Sequence, residues 1–509
     1  MPEEPEEPEE PEKPEEPEKP EGGGCDRSAV PAGLDLGAAT PGPVRRGRKD
    51  VGARAGRRGP WRARTSCRGG PVTGARSAGT TGDDGTKGDV GMGADEDGRL
   101  VVAVRRGDAE QVRDLLHDGA DPDTCDGNGG APVLCLAISA YDETVAEALV
   151  EAGADPLRRL SDGSTPLLRA VDSGSLPLTR AVLPEIVRRP GPARDELLDR
   201  ARLRARTTAE DELRRRTGSP DPIRRTRHVD ATGSRYERLA LGDSTLCDGQ
   251  QAILTAVEAH LGVSASFDEL LARARPYPDR EHVVWCESVS VLGHRLDDGT
   301  WDAATALSRD PDPLNRLFGA DVLLMTLVSD ASGRHAPYLD RAAELVPWAR
   351  RERDTDVLDV LLNGLTWAGG PGAEAVGLSH LAHPDPRIRG WVPDLLDTDV
   401  RPLRPESLAA VLTLLRDPDA DVRHRTCHRL AHHRGPEPEI GDALLALTRD
   451  ERQDTRAWAV AGLAARDDPR CLEAERHIGP VETGTVDEWL PLTAVWHYRR
   501  RMERQESEG

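Results

Sequence analysis

Three histidines at helical spacing are the side chains in this sequence whose types and intervals best fit metal binding. His424, His428 and His432 follow one another every four residues. Two imidazoles one helical turn apart can bind one zinc ion, as in H-E-x-x-H helices, but that motif does not occur here. The apolar stripe of the same helix uses other positions, such as Val422 and Leu430. We therefore predict no metal site and expect the three histidines to lie on a face that contacts a partner; metal binding is the alternative.

Four arginines recur in one setting, and their chemistry permits two interpretations. Each stands near the start of a helical pattern, after a turn rich in aspartate: Arg316, Arg389, Arg423 and Arg456. A row of arginines could bind phosphate groups. Each could instead form charge-assisted hydrogen bonds with an aspartate of its own turn or of the adjacent turn: Asp312, Asp385, Asp419 and Asp454. We favour the second interpretation, in which these arginines stabilise the stacking of repeats.

The sequence motifs of catalysis and cofactor binding are missing. There is no glycine-rich phosphate loop, no G-x-S-x-G and no Cys/His zinc spacing. The eight cysteines are scattered without a C-x-x-C pair, which is typical of buried small side chains rather than disulfides or metal ligands. We therefore expect a protein that is not an enzyme and that uses no cofactor.

Charge is distributed unevenly along the 509 residues. The total of −22 includes −9 from residues 1–22, −1 from residues 23–44 and +9 from residues 45–68, which leaves −21 for residues 69–509. This acidic remainder argues against a phosphate backbone as ligand, so nucleic acid is not an expected partner. With no apolar run near 18 residues and no secretory signal pattern, we expect no membrane span and a cytoplasmic protein.

Residues 1–96 are predicted to be a disordered tail of low complexity. Residues 2–21 repeat proline and glutamate, and charge repulsion together with the fixed φ of proline favours an extended, solvated chain. The arginine- and glycine-rich stretch that follows shows no apolar periodicity. Met92 directly precedes the first periodic segment, so a natural start at Met92, with residues 1–91 untranslated, is an alternative.

A period of 33 to 34 residues occupies residues 97–190. Ala103, Ala137 and Ala170 are separated by 34 and 33 residues, and Gly119 and Gly153 by 34. Each unit contains two short apolar helices, and a glycine after the second helix supplies a left-handed cap. Such a period is typical of stacked helical repeats, and we expect both glycines to support that stacking.

This segment resembles the ankyrin repeat. The stretch DGSTPL at Asp162–Leu167 matches the turn and first helix of that repeat, and Gly107 and Gly174 match the glycine between its helices. Two Gly-Ala-Asp endings match as well, whereas Tyr141 stands where the second unit should have its inter-helix glycine. The resemblance implies an array of paired helices that binds proteins.

The second half of the chain contains a different unit. Between residues 301 and 475, an apolar helix, an Asp-Pro turn and a second helix opening with an apolar residue and arginine recur, as in LAAVLTLLRDPDADVRHRTCHRLA. Aspartate before the second helix caps it and complements its dipole. These units resemble HEAT-type repeats. Residues 191–300 are predicted to be a helical connector with a short hairpin around Asp230–Gly233, and residues 476–509 a capping helix.

The predicted fold class is all-α: a two-part α-solenoid in which an ankyrin-like array is followed by a HEAT-like superhelix, with a disordered N-terminal tail. The two resemblances imply a non-catalytic scaffold that binds a protein or peptide on a concave repeat surface. The alternative is a HEAT-like enzyme or nucleic-acid reader, similar to the HEAT-like DNA glycosylases or bilin lyases. A continuous positive groove would favour that alternative.

Overall fold

A computed structural model of the chain is mostly helical, and it describes residues 90–127, 130–328, 336–396, 402–431, 433, 435–479 and 489–508. Residues 1–89 of the predicted tail, which was expected to span residues 1–96, lie outside the described residues. From Val90 the chain is helical, so a helix occupies the last residues of that predicted tail. Within the described ranges, no helix is long and apolar enough to cross a bilayer.

Three consecutive helix pairs open the described chain: α1 (Val90–Arg106), α2 (Ala109–His117), α3 (Val133–Ala140), α4 (Glu143–Glu151), α5 (Pro166–Ser173) and α6 (Leu176–Ala181). Asp108, Asp142 and Ser175 cap the second helix of each pair by accepting a backbone N–H with their side chains. Thr165 caps α5 in the same way, with Pro166 in the first turn. The polar residues that recur before these helices are therefore explained by helix capping.

Gly119 and Gly153 each follow the end of a second helix. Their φ angles are +106° and +107°, a region that glycine adopts without steric strain. A Cβ atom built at either position would have no other atom within 4 Å. Glycine is therefore favoured at these two positions because the backbone ends a helix there with a positive φ. The two glycines affect repeat stacking only through the turn that they form.

The connector contains six helices and three strands: α7 (Pro192–Arg204), α8 (Ala209–Thr217), β1 (Arg224–Val229), β2 (Arg235–Leu241), β3 (Ser244–Cys247), α9 (Gln250–His260), α10 (Phe267–Ala274), α11 (Val283–Gly293) and α12 (Asp298–Ala306). The strands form an antiparallel sheet in the order β1-β2-β3. The predicted hairpin is present and gains a third strand, so the all-α class is corrected to a mostly helical fold with a small sheet. Alternation of polar and apolar residues at period two is the physical reason, because it gives the sheet one apolar face. Leu239, Leu241 and Leu246 of that face are buried with Leu213 of α8.

Twelve further helices complete the described chain: α13 (Pro313–Val328), α14 (Ala336–Arg341), α15 (Val346–Ala349), α16 (Thr355–Ala368), α17 (Gly370–Ser379), α18 (Pro386–Leu395), α19 (Pro405–Leu414), α20 (Ala420–Leu430), α21 (Pro438–Leu447), α22 (Gln453–Ala465), α23 (Cys471–Ala474) and α24 (Trp489–Glu508). Short 3₁₀ helices lie at Glu185–Arg188, Leu307–Arg309, Ala342–Leu345 and Glu475–His477. One helix from each unit packs on the next: α11 on α13, α13 on α16, α16 on α18, α18 on α20, α20 on α22 and α22 on α24. Apolar clusters lie along this row, and Val495 and Tyr498 of α24 are buried in the last of them.

Candidate functional site: an arginine-lined cleft

The predicted histidine face lies in a contact between helices rather than on an open surface. His424 and His428 of α20 face α22: Nδ1 of His424 lies 3.3 Å from Oγ1 of Thr455, and the ring of His428 meets that of Trp458 edge-on, 4.3 Å between centroids. Burial lowers the pKa of His424. His432 lies outside the described residues. His424 and His428 are thus partly covered by α22, with 18% of the His424 side chain exposed, and their contact with a partner stays a prediction.

No group of three or more His, Cys, Asp or Glu side chains suited to a metal ion occurs within the described part of the chain. The candidate for a second metal ligand beside His424 is Asp454, whose carboxylate lies 3.6 Å from Nδ1 of His424. Asp454 also accepts hydrogen bonds from Arg452, which lies beside it. The described residues around His424 thus provide no metal-binding geometry.

The four recurring arginines share one geometry. In each, Nη1 donates to the carbonyl oxygens of the residues six and five positions earlier, in its own turn: Asp310 and Pro311 for Arg316, His383 and Pro384 for Arg389, Asp417 and Pro418 for Arg423, and Asp450 and Glu451 for Arg456. The rest of each guanidinium reaches the following unit. Each arginine therefore ties its own turn to the next one.

The acceptors lie in the following unit, and they are other residues than the four aspartates named from the sequence. Arg316 binds Glu352 at 3.0 Å, Arg389 binds Asp417 at 2.7 Å, and Arg423 binds Asp450 at 2.7 Å. Arg456 instead donates to the carbonyl oxygens of His477 and Ile478. The predicted acceptors bind backbone N–H groups at the starts of the second helices, as Asp385 and Asp419 do. Since the first three arginines each bind a carboxylate, they are not available as a phosphate-binding row.

A cleft of about 800 Å³ lies between the first helices of the second and third pairs and one face of the sheet. Its lining includes five arginines, two aspartates and one histidine: Arg169, Arg204, Arg216, Arg224, Arg238, Asp172, Asp243 and His228. With His228 neutral the lining carries a net charge of +3, whereas residues 69–509 as a whole carry −21. A basic cleft in an acidic chain marks a local preference for an anionic group.

The two faces of the sheet divide its charged residues. Thr226 pairs with Arg238 across β1 and β2, and Arg224 pairs with Ala240, so these side chains share the face that lines the cleft. On the other face, Arg225 binds Glu237 at 3.1 Å and also binds Glu210 of α8.

The arginines of the cleft differ in how far their charge is already neutralised. Arg204 binds Asp172 at 2.7 Å and Glu212 at 2.8 Å, and Arg216 binds Glu212 at 2.7 Å. Hydrogen bonds from Arg215 and Arg216 outweigh burial and lower the pKa of Glu212 to about 2, so it stays ionised.

Arg169, Arg204 and Arg216 each bind a carboxylate, whereas the other two arginines of the cleft have no carboxylate partner among the described residues: Arg224 and Arg238. Arg224 is exposed, and the guanidinium of Arg238 lies over the ring of Tyr141, 4.4 Å from its centroid. Nε of Arg238 is buried and has no hydrogen-bond partner in the described chain. These two side chains provide the positive charge that a ligand could neutralise.

Tyr141 connects the sheet to the helix pairs. It ends α3 in the left-handed region, with φ +59°, which explains why glycine is usual at this position. Its hydroxyl donates to the carbonyl oxygen of Thr245 in β3 at 2.7 Å, and burial raises the pKa of its phenol. The departure from the repeat pattern at this position therefore builds one wall of the cleft.

Tyr141→Phe should weaken the attachment of the sheet. The substitution removes one hydrogen bond in a partly buried contact and keeps the ring under Arg238, so we expect a loss of about 1 kcal/mol in unfolding free energy. Urea unfolding followed by circular dichroism would measure it. Tyr277→Phe is the matched control, since the ring of Tyr277 stacks on His282 and its hydroxyl makes no hydrogen bond among the described residues. Equal losses in the two variants would contradict the assigned bond.

Comparison with known proteins assigns the first helix pairs. The family model of ankyrin repeats matches residues 100–188, in three copies. Over these residues the chain is similar to ankyrin repeats. This confirms the resemblance seen in that part of the sequence; the HEAT-type resemblance of the second half stays a prediction.

Two individual matches are more limited in extent. The chain is 37% identical over 76 residues to the 2-5A-dependent ribonuclease of Mus musculus, which is 15% of this chain and 10% of that protein. The chain thus spans about a tenth of the length of that curated relative. A solved structure, that of the E. coli protein YibA, aligns with 46% of this chain and 93% of its own length, at 15% identity and a TM-score of 0.34.

Sequence reasoning did not find the cleft, although one signal was present. Arg224, Thr226 and His228 alternate on one strand, and this period indicates a polar face. The pattern does not show what that face opposes, since the opposing residues lie 50 or more positions earlier, at Ile138–Tyr141 and Arg169–Ser173. Only the folded chain brings the two sets together.

Proposed function

We propose that this chain is a non-catalytic scaffold that binds a protein or peptide partner, with the ankyrin repeats and the adjoining sheet as its recognition surface. The observation that carries the proposal is the match of residues 100–188 to ankyrin repeats. Ankyrin repeats generally mediate contacts between proteins, and repeat arrays offer extended surfaces for them. A cleft next to such a surface adds a chemically distinct pocket to it.

We further propose that the second half is a HEAT-type solenoid that extends this scaffold. The continuous row of packed helices from α11 to α24 supports this, and so does the repeated arginine geometry at the turns. Because Arg316, Arg389 and Arg423 bind carboxylates, this half has less positive charge to offer a phosphate backbone than its sequence suggests. This favours the scaffold over a HEAT-like nucleic-acid reader.

Affinity capture with the full chain tests the proposal. The tagged chain would be expressed in its native cell, cross-linked, purified with and without nuclease, and compared with an untagged control by mass spectrometry. We expect one or a few proteins at near-stoichiometric amounts, unaffected by nuclease. Recovery of no protein above the control, or of nucleic acid that is released by moderate salt, would overturn the scaffold function.

A further inference from the structure

We propose that the cleft binds an extended acidic segment of a partner protein, which pairs with the free edge of β1 and places its carboxylates against Arg224 and Arg238. This inference rests on the proposed function, because it names the chemistry of the partner at that surface. Four observations lead to it, concerning the edge of the sheet, its charges, the arginines without a carboxylate partner and the face on which they lie.

The outer edge of β1 has no strand neighbour in the described chain. The sheet order is β1-β2-β3, and the backbone of Arg224–Val229 pairs only with Arg235–Ala240 among the described residues. Apart from Ile223 and His228, the side chains from Asp221 to Val229 are exposed, and 64% of Val229 is accessible. An open edge presents unpaired N–H and C=O groups, which an extended peptide can satisfy by adding a strand.

The charge of this edge selects the occupant. Arg224, Arg225 and Arg227 lie on β1, so pairing with β1 of a second copy would bring like charges together, which is unfavourable. An acidic strand avoids this repulsion, and on the cleft face one of its carboxylates can lie opposite Arg224. Charge complementarity thus favours an acidic peptide over self-association.

The face of the sheet fixes the orientation of such a peptide. Arg225 is neutralised by Glu210 and Glu237, and Arg227 lies 3.8 Å from Glu237. Arg224 and Arg238, on the cleft face, have no carboxylate partner among the described residues. Successive side chains of a strand point to opposite faces, so the acidic residues should occupy every second position and face the cleft. Guanidinium groups bind carboxylates through two parallel hydrogen bonds, which suits this arrangement.

Fluorescence anisotropy with the full chain tests the inference. The probe is a labelled peptide in which glutamate alternates with valine, and its control has glutamine in place of every glutamate. Arg224→Glu should weaken probe binding at least tenfold, while Arg224→Lys should weaken it less. Arg227→Glu is the matched control: it makes the same change of charge on the opposite face of the same strand, and should change the affinity less than twofold.

Further ligands in the same assay distinguish an acidic strand from other anions. A peptide with proline between its glutamates lacks every second backbone N–H and has the proline φ fixed away from that of an antiparallel strand, so it should pair less well with β1 and bind at least fivefold more weakly. Inorganic phosphate at the same charge concentration should compete poorly. A single-stranded oligodeoxynucleotide that binds more tightly than the probe, and loses that binding in Arg224→Glu, would overturn the inference in favour of nucleic acid.

The failures of the two proposals can be told apart. Absence of probe binding, equal effects of Arg224→Glu and Arg227→Glu, or equal binding of the proline peptide would each overturn the acidic-strand inference. If affinity capture still recovers the same partner with Arg224→Glu, the scaffold function stands and this site falls. If no partner is recovered with the wild-type chain while the probe binds through Arg224, the scaffold function falls.

Discussion

Gly174→Ala is expected to detach the sheet from the ankyrin repeats and to destabilise the chain by about 2–4 kcal/mol, a range typical of overpacking combined with backbone strain. Gly174 ends α5 with φ +76°. A Cβ atom there would lie 2.1 Å from the carbonyl oxygen of Cys247 and 2.6 Å from Nε2 of Gln250. Backbone cannot move aside like the end of a flexible side chain, so β3 or α5 must shift.

The close approach at Gly174 is itself held by hydrogen bonds. The N–H of Gly249 donates to the carbonyl oxygen of Gly174 at 3.1 Å, and Nε2 of Gln250 donates to that of Cys247 at 2.6 Å. A methyl group at Gly174 therefore disturbs the contact that seats the sheet above the repeats. Relative to the wild type, we expect amide hydrogen exchange in Gly174→Ala to increase more at β3 than elsewhere. The urea midpoint of the variant should also be lower.

Gly163→Ala separates conformational strain from the close approach. Gly163 has φ +78°, nearly the same as Gly174, but a Cβ atom there would meet nothing within 4 Å. Its substitution should cost only about 1 kcal/mol, the usual penalty for a left-handed residue with a Cβ atom. If Gly163→Ala destabilises the chain as much as Gly174→Ala, the contact with Cys247 has no energetic importance.

The sequence predicted the features of this fold that depend on residues close together in the chain, and missed those that depend on distant residues. Period and caps act over a few residues, so the paired helices of the ankyrin repeats and the turn at Asp230–Gly233 could be predicted locally. The sheet was underestimated because β3 has only four residues, Ser244–Cys247, too few for a clear alternating pattern. Its place above the repeats depends on contacts such as Tyr141 with Thr245, which are 104 positions apart.

The arginines and histidines show why sites are harder to predict than elements. The positions of the recurring arginines could be read from their repeated context, but their carboxylate partners lie in the next unit, 27 to 36 positions later. Nearby aspartates looked equivalent in the sequence. For His424 and His428, the sequence defined the apolar stripe correctly but could not show that α22 also contacts the adjacent face. In stacked helices, a position outside the core stripe is not thereby exposed.

Glu352→Ala is expected to give the largest loss of stability among substitutions at the recurring arginine turns, about 3–5 kcal/mol, since it leaves the charge of Arg316 without its partner. The side chain of Glu352 is 3% exposed and that of Arg316 is 17% exposed. Glu352 accepts two hydrogen bonds from Arg316, one from Nε1 of Trp348 and two from the backbone N–H groups of Arg353 and Asp354. Asp298→Ala is the matched control, because Asp298 also binds an arginine, Arg341, but is 81% exposed, and it should cost less than about 1 kcal/mol.

The pH dependence of the same site gives a second measurement with a defined sign. Burial alone would raise the pKa of Glu352, but hydrogen bonds from Arg316, from the N–H of Asp354 and from Trp348 together lower it from 4.5 to about 2. Between these two values the unfolded chain binds more protons than the folded chain, so the stabilisation is complete above about pH 4.5 and is lost as the pH falls towards 2. In Glu352→Gln this contribution is absent. The difference in unfolding free energy between the wild type and Glu352→Gln should therefore shrink by about 2 kcal/mol from about pH 5 to about pH 3, since one pKa unit corresponds to about 1.4 kcal/mol. A difference that stays constant over this range would show that Glu352 is not held ionised by Arg316, and the tie between α13 and the start of α16 would then depend on packing alone.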